Sequence, residues 1–179
     1  GDGQVEAEVQ APVLPHAVAD AKMPEVKAIA AAIGLEAAQI GFGGHRPAIW
    51  QGGPAFAYVP LVDRTALSAA AVNGTAWETL CAETGLNNLY LYARSDTYDY
   101  TARMFAPADG IPEDPATGSA SAILPAQLLA AGTLPSGATR LRLEPGRATG
   151  RPSHTRLRVP VEAGAIRPCT VTGSAPRSG

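Results

Sequence analysis

The chain has 179 residues, 46% of them hydrophobic and 17% charged, with a net charge of −2. That length holds one domain, or one domain and part of another; the apolar fraction suffices for a core, and the low charge argues against disorder. A near-neutral balance gives no overall attraction to polyanions, and no apolar run approaches membrane-spanning length, so neither a nucleic acid nor a membrane is expected as a partner.

The opening Gly1-Asp2-Gly3-Gln4 is neither basic nor apolar, unlike a signal peptide, and it lacks an initiator Met. The chain therefore reads as a processed product, an expression product or a fragment. Cys81 and Cys169 are the only cysteines, too few for a disulfide framework or a structural zinc site. A single bridge stays open, but a reduced, cytoplasmic protein fits better. His16, His45 and His154 are scattered without metal-ligand spacing, so no metal is expected.

Gln4 to Val9 alternates polar and apolar residues, the pattern of a half-buried strand. Residues 16 to 23 read as a linker. A helix is expected from Pro24, placed as in a first turn, to Ala32, with Gly34 ending it, then a short turn over 36–40 and a glycine loop over 41–45. Strands are expected at 48–50 and 55–61. Asp63 resembles the N-cap of a helix over 64–71, and Thr75 with Glu78 reads as the capping box of another to about Glu83. Leu86 to Ala93 and Tyr100 to Phe105 form a hairpin. Residues 117 to 131 are a helix almost without charge, hence buried, with Pro125 giving a kink or a late start. Strands at 139–144, 154–162 and 166–172 follow, then a loose tail, 173–179. A curved mixed sheet wrapped around a central buried helix, an α+β fold, satisfies this order, because only full enclosure buries an uncharged helix.

The most informative stretch is Glu113-Asp114-Pro115-Ala116-Thr117-Gly118-Ser119-Ala120-Ser121. A proline breaks the incoming segment, and small residues stand where the buried helix begins. Such a start leaves backbone N–H groups unpaired and partly positive, so a carboxylate can sit there, and Asp114 beside it can move a proton. The alternative is that Asp114 merely caps the helix, with Thr117 as its reciprocal partner; the two roles are compatible.

Arg103-Met104-Phe105-Ala106-Pro107, Gly110-Ile111 and Glu113 to Ala120 resemble the signature of the phenazine-biosynthesis (PhzF-like) isomerases, and Gly150-Arg151-Pro152-Ser153 resembles that family's second, weaker signature. The resemblance implies the diaminopimelate epimerase fold, in which two similar domains each wrap a mixed sheet around a central helix and the active site lies between them. It implies cofactor-independent proton transfer on a small carboxylate substrate, with Asp114 catalytic and Thr117, Gly118, Ser119, Ala120 and Arg103 binding substrate. Arg103 has a second reading, pairing with Asp114 or Glu113. It also implies a homodimer, or a complementing amino-terminal domain.

The family's glutamate acid/base and its Gly-His-Pro motif belong to the amino-terminal domain and do not occur in this chain. Residues 1–22 are therefore expected to be a remnant of that domain, 23–172 the carboxy-terminal domain and 173–179 a tail, with half of an active site present. A non-catalytic anion-binding remnant and one chain of a split enzyme are the alternatives. Related racemases use a cysteine where Thr117 stands; a threonine hydroxyl is far too weak an acid for that exchange.

Other features have plainer readings. Glu113, adjacent to Asp114, points away as a solvent-facing or ion-paired group. His45, in Gly43-Gly44-His45-Arg46-Pro47, reads as a surface histidine. Residues 140–179 hold eight arginines against Glu144 and Glu162; Arg140, Arg142, Arg156 and Arg158 alternate as on the exposed face of strands. Tyr90, Tyr92, Tyr98 and Tyr100 read as cross-strand packing, or as the lining of a cleft or dimer face.

Overall fold

The structure, a computed structural model, describes residues 4–10, 14–18, 21–107, 111–114, 118–145 and 154–176, with side chains described for 10, 14–18, 21–107, 120–144 and 154–173. Eleven strands form one mixed sheet: β1 (Gln4–Gln10), β2 (His16–Ala17), β3 (Ala48–Gln51), β4 (Ala55–Pro60), β5 (Leu89–Arg94), β6 (Tyr100–Ala106), β7 (Ile111–Asp114), β8 (Gly137–Pro145), β9 (His154–Glu162), β10 (Ala165–Ile166) and β11 (Thr170–Pro176). Their order is β1-β11-β9-β8-β6-β5-β4-β3-β2, with β10 beside β9 and β7 beside β6. β1 and β2 thus form the two ends of this path. Among the described residues four α-helices accompany the sheet: α1 (Val26–Ala32), α2 (Arg64–Ala69), α3 (Gly74–Thr84) and α4 (Gly118–Ala130).

Two parallel pairings organise the layers. β4 pairs β5 in parallel, and the crossover between them carries α2 and α3; β6 pairs β8 in parallel, and that crossover carries β7 and α4. Each crossover lays its helices on a different face. Tyr58, Tyr90, Tyr92, Tyr100, Ala102 and Met104 pack with Ile123, Leu124 and Leu128 of α4. The alternate residues Ala57, Val59, Leu89, Leu91 and Phe105 pack with Ile29, Ile33, Leu67, Trp77 and Leu80 of α1–α3. The central strands are covered on both sides, which is why Leu89 to Ala93 is continuously apolar rather than alternating. β8, β9 and β11 are covered on one side only: Leu141, Leu143, Leu157 and Val159 face the α4 core, whereas Arg140, Arg142, Arg156 and Arg158 are exposed. The sheet curls, so α4 touches β3 and β4 on one limb and β9, β10 and β11 on the other.

This is the expected α+β architecture of a curved mixed sheet around a buried helix. Ala120, Leu124 and Leu128 have no exposed surface, and Ile123 and Gln127 only 2%. The helix starts at Gly118 and includes Pro125. Asp63 caps α2 as expected, accepting from the Ala66 N–H at 2.8 Å.

Several details differ from the sequence reading. α3 begins at Gly74 with Asn73 as N-cap, and no side chain caps it. Asn73 instead ties α3 to α1: its N–H donates to the Ala32 carbonyl at 2.9 Å and its Nδ2 to that of Ala31 at 3.1 Å. The reciprocal capping motif lies at Glu36 and Gln39, around a 3-10 turn. The 16–23 segment contains β2, and Ile111–Asp114 is a strand against β6. β11 runs through Pro176, paired to β1, and 177–179 lie outside the described residues. Cys81 and Cys169 are both free thiols, one packed on each face of the sheet.

Leu124→Ala should cost about 2–5 kcal/mol of unfolding free energy, because a fully buried aliphatic group leaves a cavity in a closed layer. Denaturant titration measures this; a loss under about 1 kcal/mol would contradict the enclosed-helix description.

Candidate active site

The start of α4 is positioned by two tyrosines from the strands beneath it. The Tyr58 hydroxyl donates to the Ala120 carbonyl at 2.6 Å, and the Tyr90 hydroxyl shares a hydrogen bond with Ser121 Oγ at 3.2 Å. Their rings lie 5.1 Å apart. Burial raises the Tyr90 pKa to about 12, against a smaller opposing effect of the Ser121 bond. Burial, and then Tyr90, raise that of Tyr58 well above 10. Both phenols are therefore neutral at physiological pH, and Tyr58 stays a donor. This pair, of which the sequence reading singled out only Tyr90, as cross-strand packing or the lining of a cleft or dimer face, fixes the first turn of α4 to β4 and β5.

Asp114 ends β7, opposite Met104 of β6, four residues before the helix begins at Gly118. Its backbone therefore stands at the sheet end from which the chain enters α4. Thr117 lies outside the described residues, as do the side chains of Glu113, Asp114 and Ser119; Ala120 is fully buried.

Arg103 has a different setting. Its neighbours Ala102 and Met104 face α4, and Arg103, 2% exposed, faces the other layer. Nη1 donates to the carbonyls of Leu67 at 2.5 Å, Ala70 at 2.8 Å and Ser68 at 3.5 Å. The guanidinium lies 4.8 Å over the Phe105 ring. A cation on the last carbonyls of a helix is favourable, so Arg103 caps the end of α2 and anchors it to β6. Gly118, Ser119 and Ala120 open α4 and Asp114 ends β7 four residues upstream, while the contacts of the Arg103 side chain described above lie in the α2 layer.

His45 requires a correction. It is 1% exposed rather than a surface group, because the glycine loop folds it against Phe42, whose ring stacks on it at 4.2 Å, and against Tyr92 and Tyr100. The polar chain behind it can be oriented from its ends. Trp50 Nε1 only donates, so Gln127 Oε1 accepts from it at 2.8 Å; Gln127 Nε2 donates to the Arg46 carbonyl at 2.6 Å and to the Tyr92 hydroxyl at 3.2 Å. Tyr92, accepting there, donates to His45 Nδ1 at 2.8 Å. His45 is then the neutral tautomer with its proton on Nε2, a buried atom without a partner among the described residues. Gly44 makes this fit possible: a Cβ there would stand 2.9 Å from the Ala131 carbonyl, just past the end of α4. The cluster lies toward the far end of α4 from Gly118.

Among the described residues no group of three or more His, Cys, Asp or Glu could hold a metal ion, and no helix is long and apolar enough to cross a membrane.

The geometry can be set beside known proteins. The family model described as phenazine biosynthesis-like protein matches residues 1–178. An uncharacterized isomerase of Mesorhizobium japonicum is 32% identical over 168 residues, covering 87% of this chain and 56% of the relative. An uncharacterized isomerase of Deinococcus radiodurans is 34% identical over 120 residues, covering 66% of this chain and 39% of the relative. The chain therefore spans about half the length of these curated relatives. Among solved structures, the phenazine biosynthesis protein of the PhzF family from Bacillus anthracis superposes with a TM-score of 0.76 at 17% identity, covering 94% of this chain and 57% of that one. A PhzF-family protein from Enterococcus faecalis gives 0.55 at 18% identity, covering 97% and 54%. At these identities the structural likeness shows the fold.

Burial first, and the nearby Arg94 charge second, hold the His45 pKa below 6.5; Tyr92 and Tyr100, the other titratable groups in ring contact with it, are raised by burial and stay neutral. The folded state therefore binds fewer protons than the unfolded chain just below pH 6.5, and the stabilisation present above that pH is lost as pH falls toward the folded-state value. Unfolding free energy measured from pH 7.5 to 5 should drop more steeply for the wild type than for His45→Gln. Parallel curves would contradict the buried neutral imidazole.

Proposed function

The chain belongs to the phenazine biosynthesis-like protein family, and from that premise we propose that it supplies one wall of an isomerase active site that moves a proton on a small carboxylate substrate. The observation that carries this reading is the first turn of α4. The helix is buried from Ala120 to Leu128, its start is anchored by Tyr58 and Tyr90, and Asp114 stands four residues upstream at the end of β7.

On this reading the backbone N–H groups of Gly118, Ser119 and Ala120 receive the substrate carboxylate, where the helix end carries partial positive charge without a cationic side chain. The Ser119 and Thr117 hydroxyls complete that cradle. Asp114 gives or takes a proton at the carbon next to the carboxylate, and a second acid/base group acts from the opposite wall. That wall comes from an amino-terminal domain or from a companion copy, consistent with relatives about twice as long as this chain. Arg103 acts at one remove, holding α2 to β6, the strand on which β7 and Asp114 are registered. No organic cofactor takes part in this scheme. The rival reading, a non-catalytic anion-binding protein, shares the carboxylate cradle and lacks the proton transfer.

Solvent deuterium uptake into the carbon-bound position of a turned-over carboxylate, followed by NMR with the full-length protein, tests the scheme. Asp114→Asn should slow uptake by about 100-fold or more, the range for losing a positioned acid/base, and Ser119→Ala should mainly weaken substrate binding. Unchanged exchange in both variants would remove these residues from the mechanism. Carboxylate binding without any exchange in the wild type would favour the rival reading.

A further inference from the structure

The outer face of β8, β9 and β11, turned away from α4, carries an arrangement the family reading does not use. Directly opposed residues on β8 and β9 are Arg140 with Arg158 and Arg142 with Arg156. Like charges directly opposite each other are unfavourable in a sheet, so two such pairs in succession require a reason.

The register continues on β11, where Thr170 opposes Arg158 and Thr172 opposes Arg156, and then on β1, where Gln10 opposes Thr170 and Glu8 opposes Thr172. Two rows therefore cross the sheet, about 4.7–4.9 Å per strand. The row through Arg142, Arg156 and Thr172 ends on an acidic residue, and Arg142 lies 3.9 Å from Asp99 and over the Tyr98 ring at 5.6 Å. The row through Arg140, Arg158 and Thr170 ends on neutral Gln10. Among the described residues neither Arg140 nor Arg158 forms an ion pair, whereas Arg64, Arg142 and Arg167 each do.

A groove of about 270 Å³ lies over this face, lined by Arg140, Arg156, Leu157, Arg158, Thr170 and Thr172. That volume falls just below the usual range for small-molecule pockets, which suits a single compact polyanionic group rather than a large cofactor. Planar guanidinium forks bind tetrahedral oxyanions in bidentate fashion, and a threonine hydroxyl offers a further donor. Few aromatic side chains accompany the arginines, so there is no platform on which successive bases of a nucleic acid would stack.

We propose that Arg140, Arg158 and Thr170 form a binding site for a phosphate group, free or as the terminal group of a small phosphorylated molecule, with the bound dianion neutralising the opposed arginines. The site rests on the sheet register and the unpaired arginines and is independent of the isomerase reading.

Calorimetric titration of the protein with inorganic pyrophosphate at low ionic strength tests this, with citrate as a carboxylate control and a single-stranded oligonucleotide as a polymer control. Pyrophosphate should bind one per chain, at least 10-fold more tightly than citrate, and raise the melting temperature. The Arg140→Gln, Arg158→Gln double variant should bind at least 10-fold more weakly, whereas Arg167→Gln, at an exposed arginine paired with Glu162, should bind as the wild type does. Without pyrophosphate the double variant should melt no lower than the wild type, because it relieves a repulsion; this shows that the loss is not unfolding. Absent pyrophosphate binding, equal binding by the double variant, or equal affinity for citrate would overturn the assignment. Oligonucleotide binding that depends on these arginines and exceeds pyrophosphate binding would overturn it in favour of a polymer surface.

Discussion

Everything in this molecule is arranged by the need to enclose one uncharged helix. From Ala120 to Leu128, α4 offers the surrounding strands only small and aliphatic side chains and two polar ones, Ser121 and Gln127, all buried. Apolar surface of that extent is stable only when removed from water on every side. A flat sheet covers one side of a helix, so the sheet curls, and β3 and β4 meet α4 from one limb while β9, β10 and β11 meet it from the other. The helix also brings backbone groups that must be partnered inside. Tyr58 meets the Ala120 carbonyl near its start, and Gln127 joins Trp50, Tyr92 and the Arg46 carbonyl near its end. These polar contacts fix the rotation and height of α4 within an otherwise non-directional core. They determine where its first N–H groups point, and that direction underlies the functional reading.

The two parallel crossovers divide labour between the faces. The α1–α3 layer buries the back of β4, β5 and β6 and receives Arg103, whose charge is met by the carbonyls ending α2. The α4 layer holds the tyrosines. The outer face of β8, β9 and β11 has no helix over it among the described residues and concentrates arginines instead. One alternation, repeated along adjacent strands, thus separates an apolar interior from a basic exterior.

Much of this was legible in the sequence, and the exceptions have definite causes. The uncharged 117–131 segment allowed only a buried helix, and with the hairpin at 86–105 it implied a sheet wrapped around it. The run Glu113 to Ser121 located the helix start because glycine, serine and proline act locally. Alternation of arginines with leucine and valine marked the outer face of β8 and β9. What failed depended on contacts distant in sequence. His45 looked exposed because its loop is rich in glycine and polar residues, yet Tyr92, 47 residues away, draws it inward. The contacts of Arg103 with the carbonyls of Leu67 and Ala70, more than 30 residues away in sequence, carried no local signal. Thr75 and Glu78 have capping-box spacing, yet α3 begins two residues earlier, with Asn73 as N-cap held by α1. Tyr58 and Tyr90 could have been singled out: a phenol at the buried position of a strand needs a partner for its hydroxyl, and an uncharged helix offers few candidates.

The central claim is that the buried helix presents its first turn as a carboxylate cradle. The most direct measurement is a crystal structure of the protein with a small carboxylate such as malonate or lactate. The account predicts that the carboxylate oxygens lie within hydrogen-bond distance of the backbone N–H groups of Gly118 to Ala120, with the Asp114 side chain beside the ligand. A first turn packed against apolar side chains, with the carboxylate bound elsewhere or not at all, would contradict it.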